Sequence, residues 1–135
     1  MSDFRTVTDD FAVSPQIAVA DLARARSLGF SLIINNRPDG EAPDQPSSAV
    51  MAAAARANGL DYVHIPVTGR PTEDQARAVS NAQAGAKGPT LAFCKSGTRS
   101  ITAWALGEMA GGKSRAEILP LAAGAGYDLS AVLPG

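Results

Sequence analysis

Thr90-Leu91-Ala92-Phe93-Cys94-Lys95-Ser96-Gly97-Thr98-Arg99-Ser100 is the stretch on which the reading of this sequence turns. Its first four residues have strand length and run straight into a cysteine. From Ser100 to about Ala110 a helix is expected, with Ile101, Trp104, Ala105 and Met109 apolar on most sides, so it belongs at the centre of the fold. A strand ending at Cys94 and a helix beginning at Ser100 leave a tight loop between them. Gly97 can take a positive φ there, letting the loop amides curl inward. The helix start adds the positive end of its dipole, and Arg99 brings a planar fork suited to an oxyanion. These features favour a bound anion and favour the thiolate of Cys94 over the thiol, so Cys94 reads as a nucleophile needing no histidine partner. Cys94 and Arg99 are the expected catalytic pair, with Lys95, Ser96, Gly97, Thr98 and Ser100 lining the anion site. The competing reading, a small buried hydrophobe after an apolar strand, is weakened by six small or cationic neighbours.

Outward from this loop the elements alternate. Phe11-Ala12-Val13 reads as a first short strand, stopped by Ser14-Pro15. Asp21 is placed to cap a helix through about Leu28, closed by a left-handed Gly29. Phe30–Ile34 is an apolar run broken by Asn35-Asn36-Arg37-Pro38-Asp39-Gly40. After a flexible stretch, Glu41–Pro46, a helix starts near Ser48 and closes at Asn58-Gly59. Asp61–Val67 reads as a strand. Thr72 and Gln75 are spaced as a capping box for a helix ending at Gly85, and Ser114 and Glu117 for a later one. Pro120 is expected to kink or end that last helix. Tyr127-Asp128-Leu129 reads as the start of a final turn.

Strands separated by helices predict an α/β fold: a three-layer sandwich with a mostly parallel central sheet of four to five strands flanked by helices. Ligands in such folds bind at the carboxyl ends of strands. Three loops therefore matter, after Ile34, after Val67 and at Cys94.

The 135 residues fit one domain spanning 1–135, and 45% hydrophobic residues suffice for a core. A net charge of −1 argues against a nucleic-acid or membrane-surface binder. With one cysteine no intrachain disulfide forms, and neither a signal peptide nor a membrane span is evident, so a cytoplasmic location is expected. No cofactor is expected. The single histidine, His64, lies between Val63 and Ile65 and reads as a hydrogen-bonded core residue, not a metal ligand. Trp104 reads as core packing. Asn35 and Asn36 are placed to brace their loop.

Asn35-Asn36-Arg37-Pro38-Asp39-Gly40-Glu41, Tyr62-Val63-His64-Ile65-Pro66-Val67 and Cys94-Lys95-Ser96-Gly97-Thr98-Arg99-Ser100 together resemble the phosphatase-like domain of beta-lactamase-hydrolase-like proteins, from about Phe11 to Tyr127. The resemblance implies a dual-specificity-phosphatase-like fold, in a family also classed among sulfurtransferases. Some members are fused to a metallo-β-lactamase-fold partner that oxidises persulfides, and such a partner is a further expectation. Lys95 stands where the family commonly has arginine, keeping the charge and losing the fork.

Two features order the chemistry. Cys94 to Arg99 is Cys-x4-Arg, one residue shorter than the usual phosphatase loop and similar to rhodanese loops, which hold a cysteine persulfide. The loop after Val67, Thr68-Gly69-Arg70-Pro71, also lacks the acid that protonates a leaving alcohol. Glu73 and Asp74 read as first-turn helix stabilisers. Arg37 is a candidate for binding the substrate's anionic group, and Asp39 for the acid. Persulfide transfer needs no such acid. The sequence thus ranks sulfur transfer through a Cys94 persulfide first and phosphoester hydrolysis through a phosphocysteine second. A non-catalytic anion- or persulfide-binding module comes third. The substrate is expected to be a small anion: thiosulfate, a persulfide or a phosphate ester.

Overall fold

A computed structural model describes residues 3–135. Its strands are β1 (Arg5–Thr8), β2 (Phe11–Ser14), β3 (Leu32–Asn35), β4 (Asp61–His64) and β5 (Thr90–Phe93). The helices are α1 (Asp21–Ser27), α2 (Ser48–Ala57), α3 (Glu73–Ala84), α4 (Thr98–Ala110) and α5 (Arg115–Gly124). The strands form one sheet in the order β1-β2-β5-β3-β4. β1 pairs antiparallel with β2, and the other three pairings are parallel. This is the expected flanked, mostly parallel sheet.

Alternation along the strands explains the layers. Val13, Ile34 and Ala92 turn to one face, where they join Ile101, Trp104, Ile118 and Val79 from α4, α5 and α3. Ala12, Ile33, Leu91 and Phe93 turn to the other, against Leu22 and Ala25 of α1 and Met51 and Ala55 of α2. Trp104 stacks on Phe11 with centroids 5.7 Å apart and planes at 13°, which is core packing as expected.

Several boundaries differ from the sequence reading. β1 was not anticipated; its residues Arg-Thr-Val-Thr carry one buried apolar side chain, Val7, too little for a periodicity signal. Asp21 does not cap α1. Ala20 occupies that position, and Asp21 Oδ2 accepts from the Ala18 amide at 2.8 Å. β3 starts at Leu32 because the Phe30 amide still closes α1, donating to Ala25. β4 ends at His64, although the Ile65 and Val67 amides continue to bond beside β3, onto Asn35 and Asn36. Pro66 between them has no amide to offer. Pro120 does not end α5, which continues to Gly124. The proline faces solvent while Ile118 and Ala122 are fully buried, and that packing outweighs one missing hydrogen bond. Both expected capping boxes are present, and Gly29 has φ +96°.

Because β2, β5, β3 and β4 are parallel, their carboxyl ends share one edge. The chain segments after Ser14, Phe93, Asn35 and His64 meet there. No helix among the described residues is long and apolar enough to cross a membrane.

Candidate active site

Cys94 leaves the end of the central strand β5 with no exposed surface, yet it belongs to neither apolar cluster. Its sulfur accepts a hydrogen bond from the Gly97 amide at 3.1 Å. Gly97 adopts φ +90°, the left-handed conformation that turns the chain from loop into α4. The helix consequently starts at Thr98, two residues earlier than expected, which brings the positive end of its dipole to the loop. On the outer side, Gln16 donates its amide to the Lys95 carbonyl at 3.2 Å, and the Tyr127 hydroxyl donates to the Ser96 carbonyl at 2.8 Å.

Arg99 turns back across the sheet edge. Its NH1 donates to Glu41 Oε2 at 2.8 Å and to the Val67 carbonyl at 2.6 Å, and its NH2 to Glu41 Oε1 at 2.9 Å. The Glu41 bond holds the guanidinium further toward its charged form, against the cost of burial, and interaction with Cys94 adds to it. Conversely Glu41 is held at about 2, well below the usual carboxylate value, chiefly by the hydrogen bond from Arg99 and then by that from Arg37. Glu41 is therefore an anion at neutral pH and has no proton to give.

Arg37 lies 5% exposed, its Nε donating to Glu41 at 2.9 Å and its NH1 to Gln16 at 3.1 Å. A chain of charges, Arg37–Glu41–Arg99, thus runs from the loop after β3 to the start of α4. Arg37, a candidate for the substrate's anionic group, has its guanidinium bonded to Glu41 and Gln16 and largely buried. Its own position is set by neighbours: its amide donates to Asn35 Oδ1, its carbonyl meets His64 Nε2 at 2.8 Å, and Asn36 Nδ2 donates to the Ile65 carbonyl. The bracing asparagines are as the sequence indicated; His64 is hydrogen-bonded as expected but half-buried, outside the core.

Asp39 is exposed, and its Oδ1 accepts from the Ser48 amide at 2.8 Å, at the start of α2. Asp74 pairs with Arg77 on the surface, as a first-turn residue does. Among the loop residues, Lys95, Ser96 and Thr98 are exposed, Ser96 Oγ bonding to Thr98 Oγ1, while Ser100 is buried. No metal-binding group of side chains occurs among the described residues. Three participants escaped the sequence reading: Glu41, Gln16 and Tyr127. Glu41 had a signal, an acid in a loop otherwise facing two arginines. Gln16 and Tyr127 meet their partners, the Lys95 and Ser96 carbonyls and the Arg37 guanidinium, only once the chain has folded, so no residue pattern encodes them.

A family model for the beta-lactamase hydrolase-like protein, phosphatase-like domain, matches residues 3–111. The chain belongs to this family. The beta-lactamase hydrolase-like protein of Agrobacterium fabrum is 40% identical over 127 residues, covering 93% of this chain and 30% of that protein. The chain therefore spans under a third of that relative's length. A crystal structure from Neisseria meningitidis, named as that of a candidate phosphatase, superposes with a TM-score of 0.83 at 30% identity, covering 93% of this chain and 90% of that one. P. aeruginosa TpbA in complex with pTyr superposes at 0.65 with 16% identity, covering 90% and 73%, which shows a shared fold. A phosphatase-like domain on a tyrosine-phosphatase-like fold is thereby established. The family and the Neisseria likeness reverse the order drawn from the sequence: they favour the phosphatase alternative and lend sulfur transfer no support. Loop length had weighed toward rhodanese, and the shorter Cys-x4-Arg loop is instead carried on a phosphatase-like frame.

Proposed function

We propose that this domain is a cysteine-dependent phosphatase acting on phosphate monoesters. The observation that carries the reading is the Cys94–Arg99 loop, with the Gly97 amide on the sulfur and Arg99 reaching the same edge, in a chain of a phosphatase-like family. The Cys94 thiolate attacks phosphorus, the P–O bond to the leaving group breaks, and a phosphocysteine forms. The loop amides and Arg99 hold the equatorial oxygens. Water then attacks the phosphocysteine, releasing inorganic phosphate and returning the thiolate.

The ionised Glu41 has no proton for the leaving group, and Asp39 is turned to the Ser48 amide at the start of α2. Aryl phosphates, whose phenolates depart as anions, are accordingly the preferred class, and TpbA's complex with pTyr agrees with that choice. Steady-state assays with an aryl and an alkyl phosphate test this. The aryl ester turns over, the alkyl ester is at least about a hundredfold slower, the scale of one general acid, and Cys94→Ser abolishes both activities. A wild-type protein inert toward the aryl ester refutes the reading.

The six-residue loop and the acid-free Thr68-Gly69-Arg70-Pro71 segment favour sulfur transfer as the second reading. Under that reading the Cys94 thiolate takes the outer sulfur of thiosulfate as its S–S bond breaks and sulfite leaves, and cyanide removes that sulfur as thiocyanate, returning the thiolate.

A further inference from the structure

A loop that cradles an anion works only while its peptide planes stay turned, amides inward and carbonyls outward. The plane between Ser96 and Gly97 is the critical one here. Its N–H, on Gly97, donates to Cys94 Sγ at 3.1 Å, while its C=O, on Ser96, accepts from the Tyr127 hydroxyl at 2.8 Å. Gly97, at φ +90°, has the backbone freedom to let this plane rotate, and no Cβ hinders it. A Cβ added to Gly97 would meet the Tyr127 hydroxyl oxygen at 2.1 Å, so the phenol fills the space a side chain would take.

We propose that Tyr127 is a positioning residue: its hydroxyl latches the Ser96–Gly97 peptide plane, thereby keeping the Gly97 amide on the Cys94 sulfur. Tyr127 follows α5, outside the loop and outside the elements that carry Arg37, Glu41 and Arg99. It is held there independently of the catalytic loop. Its amide donates to the Ala122 carbonyl at 2.9 Å after the left-handed turn at Gly126. The Arg5 guanidinium lies 5.1 Å from its ring centroid. Leu129, buried, fixes the chain just beyond it. Burial raises the phenol above its usual value, with Arg5 opposing and Cys94 reinforcing the shift, so the hydroxyl remains a donor at neutral pH. The C-terminal segment thus acts on reactivity at the sulfur through a single carbonyl.

This inference rests on the loop's activation of Cys94, whichever group is transferred, and its test separates the two. The rate of Cys94 alkylation by iodoacetate at neutral pH is measured on wild type, Tyr127→Phe, Leu133→Ala and a protein with p-aminophenylalanine at position 127, beside melting temperatures and aryl phosphate kinetics. Tyr127→Phe is expected to melt close to wild type while alkylation slows about fivefold to tenfold, the size of one neutral hydrogen bond. kcat falls with it and KM changes little. The p-amino analogue, which still has an N–H to donate, restores most of the rate. Leu133→Ala lowers the melting temperature and leaves alkylation unchanged. Equal alkylation rates in wild type and Tyr127→Phe overturn the latch, as does a loss in Leu133→Ala as large as that in Tyr127→Phe. Fast wild-type alkylation without aryl phosphate turnover sinks the phosphatase reading and leaves the latch standing.

Discussion

Glu41 shows how much of a site one side chain can organise. Its two oxygens accept from Arg99 NH1 and NH2, and Oε1 also takes Arg37 Nε. Bidentate carboxylate–guanidinium pairing fixes direction as well as distance. Glu41→Gln keeps the shape and removes the charge. We expect aryl phosphate kcat/KM to fall roughly tenfold, as a loosened Arg99 clamps the transferred group less well. Steady-state kinetics on the purified variant checks this, and unchanged kcat/KM shows that Arg99 needs no such brace. Gly97→Ala brings strain of another kind, since it demands a left-handed alanine whose Cβ meets Tyr127. A loss of about 1–3 kcal/mol is expected in denaturant titration. The sequence made Cys94, Gly97 and Arg99 legible because their chemistry follows from residue type. It left Gln16 and Tyr127 invisible, because each works through a main-chain carbonyl or a neighbour brought close only by folding.

At the scale of elements, α4 must sit firmly for Arg99 to be aimed. It packs on α3 at Gly107, where an added Cβ would lie 2.1 Å from Ser80 Oγ and 3.0 Å from the Ala76 carbonyl. Gly107→Leu should therefore push the helices apart and cost about 1–3 kcal/mol in thermal or denaturant unfolding, with activity falling alongside. Stability equal to wild type would show that α3 can yield without cost. The elements themselves were largely readable. Thr72 with Gln75 and Ser114 with Glu117 announced two helix starts, and the apolar run Leu91–Phe93 announced the central strand. Failures came where tertiary contacts decided the outcome. β1 exists because β2 offers it an edge, and α5 passes Pro120 because Ile118 and Ala122 anchor it on both sides.

Across the whole molecule, the Glu41 tie joins the loop after β3 to α4 over 58 positions of sequence. Its pH dependence has a definite sign. Glu41 titrates at about 2 in the fold, against 4.5 as its ordinary value. The tie's contribution to stability is thus complete above about 4.5 and is lost as pH falls toward about 2. Acid unfolding followed by circular dichroism should show part of its slope in that window, and Glu41→Gln should flatten that part; an unaltered profile argues that the tie adds nothing to stability. The sheet order was also partly hidden from the sequence, which pointed to three loops at the carboxyl edge. A fourth, after Ser14, joins them because β2 runs parallel to β5, and it supplies Gln16.

If this domain is a phosphatase, Cys94 carries a phosphoryl group during turnover. Intact-mass analysis of acid-quenched protein, mixed briefly with an aryl phosphate, reads this directly. One phosphoryl group per chain is expected, mapped to Cys94 and absent from Cys94→Ser. No phosphoryl adduct under these conditions, together with one sulfur atom gained from thiosulfate, contradicts it.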